Sequence, residues 1–223
     1  MFPGRKFAAF LFDMDGTLLN SIAAAERVWA AWATRHGLDV PTFLPTIHGM
    51  RAIETITRLA LPGVDPRREA TELAAAEIAD VDGVVPIAGA IDFLGSLPAT
   101  RWAIVTSSPR ELALRRMAVA GIPMPNILVT GEDVTRGKPA PDCFLLAAER
   151  LGVKAIDCLA FEDAPAGIAA AQASGAEVVV ITATHQHPLE TTHVAIASYE
   201  EVRAIAGEDS WIKVEPMLLA EAG

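Results

Sequence analysis

The sequence predicts an α/β fold: a doubly wound parallel sheet with an all-helical unit inserted after its first strand. Three observations carry this. Beyond residue 86, short apolar runs alternate with amphipathic helical stretches, the pattern of a parallel sheet covered on both faces. Between residues 16 and 85, helical periodicity runs on without a convincing strand. The apolar run at 7–12 nevertheless stops abruptly in Asp13-Met14-Asp15-Gly16-Thr17, so one strand of the sheet precedes the helical stretch. The expected division is an α/β core of residues 1–16 and 86–223 and a helical cap of residues 17–85, hinged between Gly83 and Pro86.

In chain order, Ser21 is placed to N-cap a helix running to about His36, where Gly37 stops it. Residues 51–61 and 67–80 read as two further helices, each bounded by Pro or Gly. The alternating part begins with a helix at 88–97, a strand at 102–106 and a helix at 110–120. A strand at 127–129, a polar loop and a helix at 140–151 follow. Then come a strand at 156–161, a helix at 165–174 and a strand at 177–181. Past Ser198 the pattern weakens, and one short helix is expected around 199–206. Trp29, Trp32 and Trp102 sit at core-like spacing, so packing explains them. His185, His187 and His193 flank Pro188 with no second cluster of ligands after them, the mark of a solvated loop rather than a zinc site.

The 223 residues are 52% apolar, enough for one substantial core or a core with a smaller insert. A net charge of −10 argues against a nucleic-acid backbone as partner. The two cysteines, Cys143 and Cys158, read as small core residues, and the lack of a disulfide framework fits a reducing compartment. The first apolar run is too short for a signal sequence and no run approaches membrane-spanning length, so a cytoplasmic, non-membrane protein is expected.

In a sheet of this kind, ligands bind beyond the carboxyl ends of the strands. Four strand ends carry reactive side chains. Asp13 and Asp15, two residues apart, project the same way and would repel each other without a cation or a reaction to justify them. That pairing suggests a hard divalent metal and a carboxylate free to act as nucleophile. Thr106, Ser107 and Ser108 end the next strand with hydroxyls and N–H groups suited to an anion. Lys138 brings an ammonium after the third, and Glu162-Asp163 two carboxylates after the fourth. Residues 131–138 fail as a nucleotide P-loop, with five residues between the glycines and Pro139 where Ser or Thr should follow the lysine.

Taken together, Asp13-x-Asp15-Gly16-Thr17, Thr106, Lys138 and Glu162-Asp163 resemble, in order and spacing, the four motifs of the haloacid dehalogenase-like phosphohydrolases. The resemblance covers roughly the first four-fifths of the chain and implies the Rossmann-like core of that family. It implies that Asp13 attacks phosphorus to form a phosphoaspartate. Asp15 would protonate the leaving alcohol and then activate water. Mg²⁺ would be bound by Asp13, the Asp15 main-chain carbonyl and Asp163, with Glu162 supporting them through Lys138. Thr106, Ser107 and Lys138 would hold the phosphate. The insert is similar to the helical cap of the subgroup that includes β-phosphoglucomutase, phosphoglycolate phosphatase and small sugar phosphatases.

For the substrate, His48-Gly49-Met50-Arg51 lies between two cap helices, and is similar to the His-Gly-x-Arg of sugar and polyol phosphatases. His48 and Arg51 are therefore the expected substrate-binding residues of the cap. Arg51 stands one position earlier after the glycine than in the phosphomutases of the group, which favours hydrolysis. The expected activity is a Mg²⁺-dependent phosphatase for a small phosphorylated sugar or polyol, as monomer or homodimer. The alternatives are a sugar phosphomutase, a phosphoglycolate phosphatase and a non-catalytic phosphometabolite-binding protein.

Overall fold

A computed structural model describes residues 1–185, 191–207 and 211–217. The sheet starts with β1 (Ala9–Phe12), whose four residues are all buried. The chain turns at Gly16 into a two-residue strand, β2 (Leu19–Asn20), and then runs through helices α1 (Ile22–Arg35), α2 (Val40–Phe43), α3 (Ala52–Leu59) and α4 (Pro66–Ala79). A second short strand, β3 (Val85–Pro86), pairs antiparallel with β2, Leu19 against Pro86 and Asn20 against Val85. The two chain crossings between helices and sheet are thus zipped together. Neither strand was expected from the sequence.

The alternating part follows as α5 (Ala90–Gly95), β4 (Trp102–Val105), α6 (Arg110–Ala120), β5 (Leu128–Val129), α7 (Asp142–Arg150), β6 (Cys158–Glu162), α8 (Pro165–Ser174), β7 (Glu177–Ile181) and β8 (Val194–Ile196). The parallel sheet has the order β5-β4-β1-β6-β7-β8, with β1 in the middle between β4 and β6. Phe10 lies opposite Trp102 on one side, and Phe12 opposite Phe161 on the other. Alternation along β1 gives the sheet two apolar faces. Phe10 and Phe12 join Ile104, Phe161 and Val179 on one face, while Ala9 and Leu11 join Ala103, Ala160 and Val178 on the other. The Phe12 and Phe161 rings stack at 4.6 Å. Cys143 and Cys158 are buried in the second face, and Trp102 in the first.

The insert packs around its own apolar cluster of Trp29, Trp32, Phe43, Ile47, Ile56 and Leu73. Glu69 is buried inside it, accepting from Trp32 Nε1 at 2.9 Å and Arg35 Nη2 at 2.7 Å. The start of α1 differs from expectation. Ser21 makes no side-chain cap; Asn20 Oδ1 accepts the Ile22 N–H at 3.1 Å instead, which frees the serine for the cleft.

The tail also departs from the sequence reading. In place of a helix over 199–206, a single 3₁₀ turn (Tyr199–Glu201) leads into β9 (Val202–Ala206), which pairs antiparallel with β10 (Ile212–Pro216). Tertiary pairing overrides local propensity here, because Ile212 and Val214 have a buried surface to cover. His187 lies outside the described residues. His185 turns inward, its Nε2 2.9 Å from the Asp163 carbonyl oxygen. Among the described residues, no helix is long and apolar enough to cross a membrane.

Candidate active site

The carboxyl ends of β1, β4 and β6 and the loop after β5 converge under the insert. Asp13, one residue past β1, is almost fully buried. Lys138 Nζ donates to Asp13 Oδ1 at 2.5 Å, to Glu162 Oε1 at 2.6 Å and to the Val105 carbonyl at 3.1 Å. The ammonium therefore ties three strands together. The other Glu162 oxygen accepts the N–H groups of Asp163 and Ala164 at 3.0 and 3.2 Å, so that carboxylate is fully committed. Thr17 Oγ1 donates to Asp163 Oδ1 at 3.0 Å.

Three carboxylates share one ammonium in this cluster. Burial pushes the Asp13 carboxyl up to about 8, with Glu162 repulsion adding to burial and Lys138 opposing it. Burial, with repulsion from Asp13 and Glu162, also holds Asp163 well above the usual carboxylate range. Burial works against the Lys138 ammonium, but the adjacent Asp13 and Glu162 outweigh it and raise its pKa. The unbalanced negative charge is what a divalent cation would relieve. Oxygens of Asp13, Glu162 and Asp163 lie within 4.8 Å of one another, and an all-oxygen set fits a hard cation such as Mg²⁺. With Glu162 already engaged by Lys138 and two N–H groups, Asp13 and Asp163 are the side chains left to hold such an ion.

Above this cluster lies a cavity of about 80 Å³, lined on the core side by Asp13, Asp15, Thr106, Ser107, Ser108, Arg116 and Asp163. From the insert, Trp29, His48, Met50 and Glu77 close it. Asp15 is held by three donors: Ser21 Oγ at 2.6 Å and Arg116 Nη1 at 2.9 Å on Oδ1, and Ser108 Oγ at 2.9 Å on Oδ2. Arg116 Nη2 reaches across to Glu77 Oε1 of α4 at 3.0 Å. Burial raises the Glu77 pKa while Arg116 opposes that shift.

Sequence reasoning missed Ser21, Ser108, Glu77 and Arg116 as neighbours of Asp15. One signal was readable. Arg116 interrupts the buried stripe Leu112, Ala113, Met117 and Ala120 of α6, and an arginine on an apolar stripe needs a buried partner.

The expected residues otherwise fall as follows. Thr106 and Ser107 line the cleft, Thr106 Oγ1 accepting the Ser108 N–H at 3.0 Å and Ser107 Oγ donating to the Gly49 carbonyl at 2.8 Å. His48 also lines it, its Nε2 3.2 Å from Glu26 Oε1. Arg51 differs from the expectation. Its guanidinium turns from the cleft to the loop after β5, donating to the carbonyls of Gly131, Val134 and Thr135. Those three carbonyls engage both Nη groups of the arginine fork at 2.8 to 3.0 Å.

The family model of the haloacid dehalogenase-like hydrolases matches residues 7–175. Hexitol phosphatase A of Escherichia coli K12 is 40% identical over 199 residues, covering 86% of this chain and 92% of its own length. Fructose-1-phosphate phosphatase YqaB of the same organism is 32% identical over 185 residues, 78% of this chain and 96% of its own. Among solved structures, β-phosphoglucomutase from Clostridium difficile superposes with a TM-score of 0.74 at 21% identity, over 86% of this chain and 91% of that one, a likeness of fold.

Proposed function

The chain belongs to the haloacid dehalogenase-like hydrolases, and from that premise we propose that it is a Mg²⁺-dependent phosphatase of small phosphorylated sugars or polyols, working through a phosphoaspartate. The observation that carries this reading is the buried Asp13–Lys138–Glu162–Asp163 cluster at the floor of the cleft, with Asp15 facing the same cavity.

Each residue then has a task. An Asp13 oxygen attacks phosphorus, and the P–O bond to the alcohol breaks as the Asp13–phosphorus bond forms. Asp15, held by Ser21, Ser108 and Arg116, would carry a proton taken up from solvent to the departing alkoxide. The same carboxylate then takes a proton from the water that hydrolyses the acyl phosphate, regenerating Asp13 and releasing inorganic phosphate. Lys138 stays charged between Asp13 and Glu162, where it neutralises a phosphate oxygen and the nucleophile together. Thr106 and Ser107 offer hydroxyls at the β4 end. Mg²⁺, when held by Asp13, the Asp15 carbonyl and Asp163, supplies charge neutralisation for the phosphoryl group.

The chemistry of the cavity supports the substrate class. His48, Glu77 and Arg116 offer donors and acceptors for hydroxyls, and Trp29 an apolar wall. Two relatives are named as phosphatases of a hexitol phosphate class and of fructose 1-phosphate. Inorganic phosphate release should be measured from hexitol phosphates, fructose 1-phosphate, glycerol phosphate and phosphoglycolate, with Mg²⁺ and with EDTA. The reading expects metal-dependent release, strongest on the hexitol or sugar esters. Formation of an isomeric phosphate without release, or release undiminished by EDTA, would overturn it.

A further inference from the structure

The polar contacts between insert and core concentrate at one place outside the cleft: the first turn of α3 against the loop that leads to Lys138. Arg51 Nη1 donates to the carbonyls of Gly131 at 3.0 Å and Val134 at 2.9 Å. Its Nη2 donates to the Thr135 carbonyl at 2.8 Å and to Glu54 Oε1 at 2.5 Å. Glu54 Oε1 in turn accepts the Gly137 N–H at 2.9 Å. One ion pair on the insert thus grips the loop at four residues, the last of which directly precedes Lys138.

The loop is shaped to receive that pair. A Cβ on Gly137 would fall 2.4 Å from Glu54 Oε2 and 2.6 Å from Arg51 Nε. On Gly131 it would fall 2.5 Å from the Ser107 carbonyl and 3.2 Å from Arg51 Cδ. Gly131 is required by the close approach of the Ser107 backbone, whereas a methyl on Gly137 would press on the insert's own Arg51 and Glu54 side chains. On the core side the same loop is pinned through Asp133, which accepts from the Thr130 N–H at 2.8 Å, from Arg110 at 3.1 Å and from Arg150 at 2.9 Å. Between Asp133 and Lys138, Arg136 is bound to Asp142 of α7 at 3.1 and 2.8 Å and Val134 packs on the second core face, while the insert binds the main chain at Val134, Thr135 and Gly137. Burial acts to raise the Glu54 pKa, yet Arg51 and the Gly137 N–H outweigh it, so the carboxylate stays charged for the grip.

We propose that Arg51 and Glu54 are positioning residues: they latch the insert onto the 131–137 loop and so set the backbone from which Lys138 reaches Asp13 and Glu162. The proposal rests on the phosphatase reading of that cluster. Neither residue touches the reacting atoms. Withdrawal of the insert would break the latch and loosen the loop, so that full assembly of the phosphate site accompanies closure. A misplacement of about 1 Å at such a group costs on the order of a hundredfold in rate.

The test uses Arg51→Ala, Glu54→Ala and Gly137→Ala in the full chain. Each is assayed on p-nitrophenyl phosphate and on the best sugar phosphate of the panel, and by amide hydrogen exchange over residues 131–138. The latch predicts kcat losses of roughly ten- to a hundredfold, equal on both substrates, with KM changing less. Exchange at Gly137 should quicken while the amides of β1 and β6 keep their protection. Gly137→Ala should cost far less in an Arg51→Ala, Glu54→Ala background than alone, because its obstruction is gone. Should Arg51→Ala fail to fold, Arg51→Lys, which keeps the charge and loses the fork, serves in its place.

A loss confined to the sugar phosphate would put Arg51 on the substrate and overturn the latch. Faster exchange with unchanged kcat would overturn its effect on Lys138, and unchanged exchange would remove the grip itself. If the parent protein hydrolyses no ester at all, the phosphatase reading falls, and the exchange comparison still decides whether the two side chains hold the loop.

Discussion

Gly16 adopts φ +88°, and a Cβ there would lie 2.1 Å from Asp163 Oδ2. The glycine is thus the reason the β6 carboxylate can come up to the β1 carboxylates. Gly16→Ala is expected to strain the turn and displace Asp163, weakening the Mg²⁺ binding proposed for this site by tenfold or more, on the order of 1.4 kcal/mol. Calorimetric titration of the metal checks this, and unchanged affinity would contradict it. Asp13→Asn should abolish turnover. In EDTA it should melt no lower than the parent, because it removes one of three carboxylates that share a single ammonium. A lower melting temperature would mean that the Asp13–Lys138 bond outweighs the repulsion. Asp13, Asp15 and Asp163 follow closely on strand ends, which fix where a side chain points, so their convergence was readable in the sequence; Lys138, on the loop after β5, has no such constraint. Arg51 was legible as a residue but not as a contact. It stands at the N-cap of α3, with extended backbone, so its direction depends on how the insert docks.

At the level of elements, the insert is held around a buried acid. The Trp32 indole N–H, followed by His36, Arg68 and Arg35, outweighs burial and lowers the Glu69 pKa from 4.5 to about 2. A depressed carboxylate pKa means that the unfolded chain binds the proton more readily. Its stabilisation is therefore complete above about pH 4.5 and is lost as pH falls toward about 2. Fluorescence of Trp29 and Trp32 during urea unfolding should show the insert weakening across that window. In Glu69→Gln the acid-dependent weakening should be smaller. An identical pH dependence in the variant would assign the effect to other carboxylates. Helix α4 was read from its pattern, yet Glu69 gave no warning, since an acid in the first turn is ordinarily explained by the helix dipole. The short strands β2, β3 and β8 escaped for a different reason: their pairing is set by the chain brought beside them.

Across the whole molecule, the tail is tied to the strand that carries Asp13, but at its other end. Phe7 and Ile212 exchange backbone hydrogen bonds at 2.8 Å in both directions, just before β1 begins, whereas Asp13 follows where β1 ends. Ile212 and Val214 are buried in the same apolar cluster as Phe10 and Phe161. Removing residues 208–223 would leave β9 unpaired and expose that surface. At about 1.5–3 kcal/mol for each buried aliphatic side chain, the loss is about 3–6 kcal/mol, a large share of the roughly 5–15 kcal/mol that a domain has in all. Because the hairpin sits at the amino end of β1 and the site at its carboxyl end, stability and chemistry should separate. The truncated chain is expected to unfold at markedly lower urea concentration while its folded fraction keeps the parent kcat. A fall in kcat that tracks no loss of folded protein would mean that the tail reaches the site, and would call for its residues to be counted among the groups that shape the cleft.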